Sequence, residues 1–298
     1  MEEEVLKKYI KAGRIAAEAL EYGRSLVKPG TSLLDVAEQI ESKIVSLGAL
    51  PAFPVNISFN ETAAHYTPTP GDITVFKDEL VKLDVGVHVD GCVGGDTAVT
   101  IDLSGKYNDL VKASKDALDA ALKVIQVGTT LGEIGKEIEQ AIVSHGFQPV
   151  RNLSGHGIGE YMIHGSPSIP NYDTEDDTKL EDGMTIAIEP FASTGVGLIH
   201  EKGIPYIHSM IGMKPVRNIG TRQILTKINE YNGLPFANRW LTKDFPAFKV
   251  SFALRELNQL EILHSYPPLV ERTPAAFISQ AEHSVYVGDK VVVMTRIP

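Results

Sequence analysis

Two stretches of this chain are near copies of each other, and that duplication limits what it can fold into. GTSLLDVAEQIESKIVSLGALP (30 to 51) matches GTTLGEIGKEIEQAIVSHGFQP (128 to 149) at ten of twenty-two positions, at a constant offset of 98. Each copy starts with a Gly-Thr turn and ends in Gly and Pro. Between them run apolar residues spaced by three and four: Leu33, Val36, Ala37, Ile40 and Ile44 in the first, Leu131, Ile134, Ile138 and Ile142 in the second. That pattern predicts an amphipathic helix followed by extended chain. Upstream, EALE (18 to 21) resembles DALD (116 to 119), so each half is expected to open with a further helix. Downstream, LVKLDVGVHVDG, DTAVTIDL and TIAIEPFAS have the β-branched alternation of strands. Two divergent α+β halves predict one pseudo-symmetric domain with a site between them.

Residues 197 to 268 break the pattern. TRQILTKINEYNG, LPFANRWLTK and VSFALRELNQLEIL are expected as short helices, and the stretch contains the only tryptophan, Trp240. From 203 to 268 there are eight Lys or Arg against four Asp or Glu, a local charge of +4 in a chain of net charge -10. The expected organisation is a main domain of residues 1–196 and 269–298, with residues 197–268 as an inserted helical subdomain. The basic residues Arg217, Arg222 and Lys227 suit either a solvated helical face or a transient contact with ribosomal RNA. The acidic balance as a whole argues against DNA as a partner. Nothing demands an oligomer, so a monomer is expected. A single cysteine, Cys92, excludes an internal disulfide and suits a reducing, cytoplasmic setting. No apolar run approaches the ~20 residues of a membrane span.

Four acids stand where strands call for apolar residues: Asp84 in KLDVGVH, Asp96 in GGDTAVT, Glu189 in TIAIEPF and Glu282 in QAEHSVYV. Uncompensated, such carboxylates raise one another's pKa and oppose folding. Two bound divalent cations would resolve the conflict. A hairpin with the three-residue loop Val89-Asp90-Gly91 would set His88 opposite Cys92 and Asp84 opposite Asp96, both acids on one face. A bulge at Gly94-Gly95 is the alternative. In NLSGHGIGEYMIHG, His156 is flanked by glycines, which admit close approach of backbone and ligand. A neutral imidazole beside carboxylates suits first-row divalent metals. His65 and His164, offset by 99, are expected beside the metals as hydrogen-bonding or proton-handling groups.

The set NETAAHYTPTPGD, KLDVGVH, GGDTAVT, NLSGHGIGEYMIHG, AIEPFASTG and QAEHSVYV, with SYPPL (265 to 269) closing the insert, resembles the type II methionine aminopeptidases in their short archaeal form. The resemblance covers essentially the whole chain. It implies the α+β pita-bread fold, with pseudo-twofold halves, a central antiparallel sheet flanked by helices, and a small inserted helical subdomain. It also implies a dinuclear site of Co, Mn, Fe or Zn held by Asp84, Asp96, His156, Glu189 and Glu282, with Asp96 and Glu282 bridging. His65 and His164 match the family's substrate-side histidines, and Phe53, Ile163 and Phe191 its methionine pocket. The implied reaction removes the initiator methionine from nascent N-termini when the second residue is small. In it Glu189 shuttles a proton, His164 contacts the oxyanion and His65 the substrate amide. One departure stands out: eleven residues separate Asp84 from Asp96, where the family usually has ten. The surplus is assigned to Gly94-Gly95 as a bulge that keeps Asp96 aimed at the metals.

Two relatives of the same fold are the alternatives. X-Pro aminopeptidases and dipeptidases share the ligands but tend to carry a His four residues before the Gly-flanked one, where this chain has Asn152. Inactive pita-bread binding proteins have lost ligands, whereas all five types are present here.

Overall fold

A computed structural model of the chain describes residues 1–296. The repeat is realised in matching detail. The first half opens with α1 (Glu3–Leu26) and α2 (Leu33–Ser46), the second with α3 (Asn108–Val124) and α4 (Leu131–Ser144). α2 and α4 are each 14 residues long. Each is capped by the hydroxyl before it: Ser32 Oγ accepts from Asp35 N at 3.2 Å, and Thr130 forms a reciprocal capping box with Glu133. Gly30 and Gly128 precede the caps with φ of 87° and 91°, a region open to glycine without steric cost. Their N–H groups donate to equivalent carbonyls, Gly30 to Phe76 and Gly128 to Leu180, both at 2.8 Å.

The apolar face of each helix pair lies on its own half of the sheet. Val36, Ile40 and Ile44 pack with Val81, Leu83 and Val85 in one core, and Leu110, Ile134, Ile138 and Ile142 with Ile186 and Ile188 in another. Each such side chain, fully buried, contributes about 1.5–3 kcal/mol. In the first half Leu80–Val89 is the central strand, paired with Leu50–Pro51, Asn56–Phe59 and Cys92–Asp102. In the second, Thr185–Ile188 lies between Ser154–Gly159 and His283–Tyr286. The halves join where Cys92–Asp102 runs beside residues 278 to 286. There Thr100 Oγ1 donates to Gln280 O at 2.7 Å, Thr97 Oγ1 to Glu282 O at 2.9 Å, and Glu282 N to Ala98 O at 3.1 Å.

The hairpin differs from the three-residue loop expected. Val89 pairs with Cys92, leaving the two-residue turn Asp90-Gly91 with φ of 51° and 88°, the conformation that Asp-Gly favours in hairpins. Beyond it His88 pairs with Val93 and Val87 with Gly95, so Gly94 is the surplus residue of a bulge. Asp84 lies opposite Ala98 and Asp96 opposite Gly86. The two acids are therefore diagonal neighbours on one face, not a direct pair, and His88 does not face Cys92. α1 explains the position of the bulge: a Cβ at Gly94 would lie 2.0 Å from Tyr9 O, and one at Gly95 2.5 Å from Ala16 Cβ.

The stretch 197–268, expected as an inserted helical subdomain, is mixed in structure. Ile207–Met210 pairs with Phe236–Ala237 and Leu263–Tyr266, and α5 (Ile219–Asn229), α6 (Asn238–Leu241) and α7 (Ala247–Gln259) pack around Ile224, Ile228, Phe236, Leu254 and Leu257. LPFANRWLTK, expected as one helix, divides into a strand and the four-residue α6. Ile199–Glu201 pairs with Leu269–Glu271, which also pairs with Thr62–Ala64. Among the described residues no helix is long and apolar enough to cross a membrane.

Candidate metal centre

All ten side chains singled out from the sequence line a single cavity of about 330 Å³. Its polar end gathers Asp84, Asp96, His156, Glu189 and Glu282; Phe53, Ile163 and Phe191 line it together with Ala64, Ile207, Pro235 and Leu269. His65 and His164 also line it, their ring centroids 6.4 Å apart.

Each ligand-type side chain is aimed by its strand. Asp84 is central in Leu80–Val89, and the Gly94 bulge turns Asp96 onto the same face. His156 lies on Ser154–Gly159, where Gly155 and Gly157 let neighbouring backbone close in: a Cβ there would sit 2.3 Å from Ala187 O or 2.0 Å from Ser166 O. Glu189 follows Thr185–Ile188 and precedes Pro190, while Glu282 falls between Ile278–Gln280 and His283–Tyr286.

His156 Nε2 stands 3.6 Å from Asp96 Oδ2 and 3.5 Å from Glu189 Oε1. Donor atoms of Asp96, His156 and Glu282, all buried, lie within 4.8 Å of one another. These separations suit atoms arranged around a common ion, whose bonds to N and O are about 2.0–2.2 Å long. Two buried carboxylate oxygens of the cluster lack any protein partner, Asp84 Oδ1 and Glu282 Oε2. Buried carboxylate oxygens left so are costly, and a cation is the ligand that would satisfy them.

The electrostatics agree. Burial pushes Asp96 up to about 7. Burial first, and neighbouring carboxylates next, hold Asp84, Glu189 and Glu282 well above the ordinary carboxylate range. Burial, then the other imidazoles, lowers His156 and His65 to about 3, and burial of its ring in the cavity, then His264, lowers His164 to about 4. A cluster of acids resisting ionisation beside neutral imidazoles is a site built for positive charge.

Several residues around this centre escaped the sequence reading. Ser284 bonds the backbone of Asp96, Gln280 Nε2 reaches Glu189 Oε2 at 3.4 Å, Asn56 lies opposite Asp84 in the sheet, and Tyr266 and His264 stand on the insert side of the cavity. Only proximity to Glu282 along the chain could have flagged Gln280 and Ser284. The others come from distant segments. Cys92 is buried and lies outside the cavity lining. Of the basic residues in the insert, Lys227 is engaged with Glu230 at 2.8 Å and Asp244 at 3.6 Å, whereas Arg217 and Arg222 are exposed.

A two-halved sheet that brings carboxylates and an imidazole to its centre defines a metal-dependent peptidase of the pita-bread class. The chain belongs to metallopeptidase family M24, whose model matches residues 7–217. It is 47% identical to a methionine aminopeptidase of Archaeoglobus fulgidus, over 97% of each chain. The solved methionine aminopeptidase of Thermotoga maritima superposes with a TM-score of 0.72 at 24% identity, covering 100% of this chain and 98% of that one. A thermophilic Arx1 structure matches with a TM-score of 0.85 at 16% identity, over 100% of this chain and 92% of that one. The two structural likenesses show the fold alone.

Proposed function

We propose that the chain is a methionine aminopeptidase of type II that removes the initiator methionine from nascent N-termini whose second residue is small, in the cytoplasm. The observation that carries this reading is the cavity itself: five ligand-type side chains from both halves share a single chamber with an apolar wall. Its volume is at the small end of ligand sites.

Asp84, Asp96, His156, Glu189 and Glu282 would hold two divalent cations. When bound, the cations supply Lewis-acid polarisation of the scissile carbonyl and a nucleophile available near neutral pH. The protein does the rest. Glu189, whose carboxylate faces the cavity beside Gln280, takes up a proton and passes it to the leaving amine. His164 and His65 are neutral at pH 7, so each can offer an N–H without adding a second positive charge: His164 to the developing oxyanion, His65 to the substrate amide. Phe53, Ile163 and Phe191 receive the methionine side chain and exclude water. Asn152 is engaged with the main chain of Ile199, donating to its O at 2.8 Å and accepting from its N at 2.8 Å. That supports the aminopeptidase over the X-Pro reading, whose proteins tend to carry a His at this position.

The test is hydrolysis of Met-Ala-Ser and Ala-Pro peptides by stripped protein to which Co, Mn, Fe or Zn is added singly, alongside Glu282→Ala. Methionine release from the first peptide only, and only with added metal, is the expected result. Cleavage of Ala-Pro in preference, or activity retained in Glu282→Ala, would overturn the reading.

A further inference from the structure

Away from the metal ligands, one buried ion pair ties together three segments that lead into the cavity. Glu41 on α2 and Arg239 on α6 are 7% and 2% exposed. Arg239 donates to both carboxylate oxygens of Glu41, Nη1 to Oε2 at 2.7 Å and Nη2 to Oε1 at 2.5 Å. Glu41 accepts two more bonds, from Trp240 Nε1 at 2.9 Å and Val55 N at 3.2 Å. Arg239 Nη2 also donates to Thr67 Oγ1 at 3.1 Å, and that hydroxyl donates to Val55 O at 2.8 Å. α2, α6 and the segments around Val55 and Thr67 thus meet at this one ion pair.

Its members sit a few residues from the cavity wall. Val55 follows Phe53 by two residues, Thr67 follows His65 by two, and Arg239 follows Pro235 by four; Phe53, His65 and Pro235 all line the cavity. Phe53 cannot retreat toward the sheet, because its ring lies against Gly86, where a Cβ would be 2.1 Å from Phe53 Cε1. Leu234 of the insert belongs to the same buried cluster as Phe53 and Ile163. The insert therefore closes this end of the cavity, and the Glu41–Arg239 pair sets how closely it does so.

Stability alone does not account for such a pair, since buried ion pairs contribute little net free energy compared with well-packed apolar residues. Arg239 Nε has no partner, a further cost. What a bidentate guanidinium–carboxylate pair does supply is a fixed distance and angle.

We propose that Glu41 and Arg239 are positioning residues that fix the separation between the Phe53 wall and the Pro235 wall of the cavity, and thereby set selectivity for an unbranched side chain at the substrate's first residue. This rests on the aminopeptidase reading above. The experiment measures kcat and KM of the Mn-loaded enzyme on Met-Ala-Ser, norleucyl-Ala-Ser and Leu-Ala-Ser. The variants are Arg239→Lys, Glu41→Gln and Trp240→Phe, which removes only one donor to Glu41. Thr221→Val, which breaks the 2.5 Å bond from Thr221 Oγ1 to Glu256 Oε2 inside the insert, is the structural control.

Arg239→Lys and Glu41→Gln are expected to raise KM for the methionyl peptide about tenfold with kcat little changed, and to lower the Met-to-Leu ratio of kcat/KM about tenfold. Trp240→Phe is expected to shift the ratio in the same direction by less, and it decides the matter if the stronger variants do not fold. Thr221→Val is expected to lower the melting temperature and leave the ratio alone. An unchanged ratio in folded clamp variants, or an equal fall on all three peptides, overturns the proposal. Failure of the unaltered enzyme to release methionine from Met-Ala-Ser would overturn the aminopeptidase reading instead.

Discussion

Ser284 Oγ accepts a hydrogen bond from Asp96 N at 2.8 Å and donates one to Asp96 O at 2.9 Å. One hydroxyl on a second-half strand thus satisfies both main-chain groups of a first-half residue 188 positions away. Asp96 sits just beyond the bulge at Gly94, where its own hairpin ladder is interrupted. Its backbone is held by the opposite half of the molecule, and the carboxylate is aimed by the join between halves.

Ser284→Ala tests that relationship. It leaves two buried main-chain groups without a partner, so unfolding free energy is expected to fall by on the order of 3 kcal/mol. Cation affinity is expected to weaken as well, as for partners that orient ligands. Denaturant unfolding of the stripped protein and a calorimetric metal titration measure the two effects. Unchanged values in both would remove Ser284 from the account.

Much of this was legible in the chain because it is local. The repeated helix of each half could be read from Gly-Thr, the apolar spacing and the final Gly, since caps and periodicity are short-range effects. The acids that gather in the cavity could be read because acids inside β-branched runs conflict with burial. What could not be read depends on contacts across the fold. The surplus residue was expected at Gly94-Gly95, where α1 presses on the strand, but the two-residue turn at Asp90-Gly91 and the diagonal placing of Asp84 and Asp96 were not. Arg239 and Glu41 lie 198 positions apart, and nothing in either neighbourhood announces the other. Phe236–Ala237 reads as part of a helix until its partner Ile207–Met210 is in place.

Gly94→Ala should expose the tightness of that contact. The added carbon would fall 2.0 Å from Tyr9 O, which is backbone and cannot swing aside, so α1 or the strand must shift. A loss of about 2–3 kcal/mol is expected from the overpacking, together with weaker cation binding because Asp96 moves with the bulge. Gly105→Ala, in open space, is the matched comparison. Although Gly105 has a φ of 70°, which strains alanine, nothing near it is displaced, so metal affinity there should be unaltered. Equal metal affinity in both variants would argue that the bulge does not aim Asp96.

Cation binding should release protons below neutral pH. In the stripped protein burial holds Asp96 at about 7, against about 4 in an unfolded chain. A value raised by folding means its contribution to stability is complete below about pH 4 and is lost as pH rises through about 7. The imidazoles of His65, His156 and His164 act in the opposite sense. Their values are lowered, they are already neutral at pH 7, and their contribution is lost as pH falls below about 6.5. At pH 6 the proton that must leave on binding is therefore a carboxylic one. Titration calorimetry at pH 6 in two buffers of different ionisation enthalpy is expected to show net proton release, shrinking by pH 8. The rise in melting temperature on adding Mn should be larger at pH 8 than at pH 6. No proton release at pH 6 would count against Asp96 as a ligand.

Glu282 should oppose stability in the empty site while being indispensable in the loaded one. It is 2% exposed, its Oε2 has no partner, and burial with the neighbouring carboxylates raises its pKa well above the usual range. Glu282→Gln keeps the shape and removes the charge that resists burial. The stripped variant is expected to melt at the same temperature as the stripped parent or above it, as happens where function demands a strained arrangement. With Mn added the order reverses, because the parent gains stability from the bound ions and the variant gains little. Hydrolysis of Met-Ala-Ser should fall by more than about a hundredfold, the upper end of what the loss of residues that merely support ligands costs. A variant that melts well below the parent when stripped would show that Glu282 holds the fold together by contacts of its own. A variant that keeps its activity would show that the reaction does not need this carboxylate.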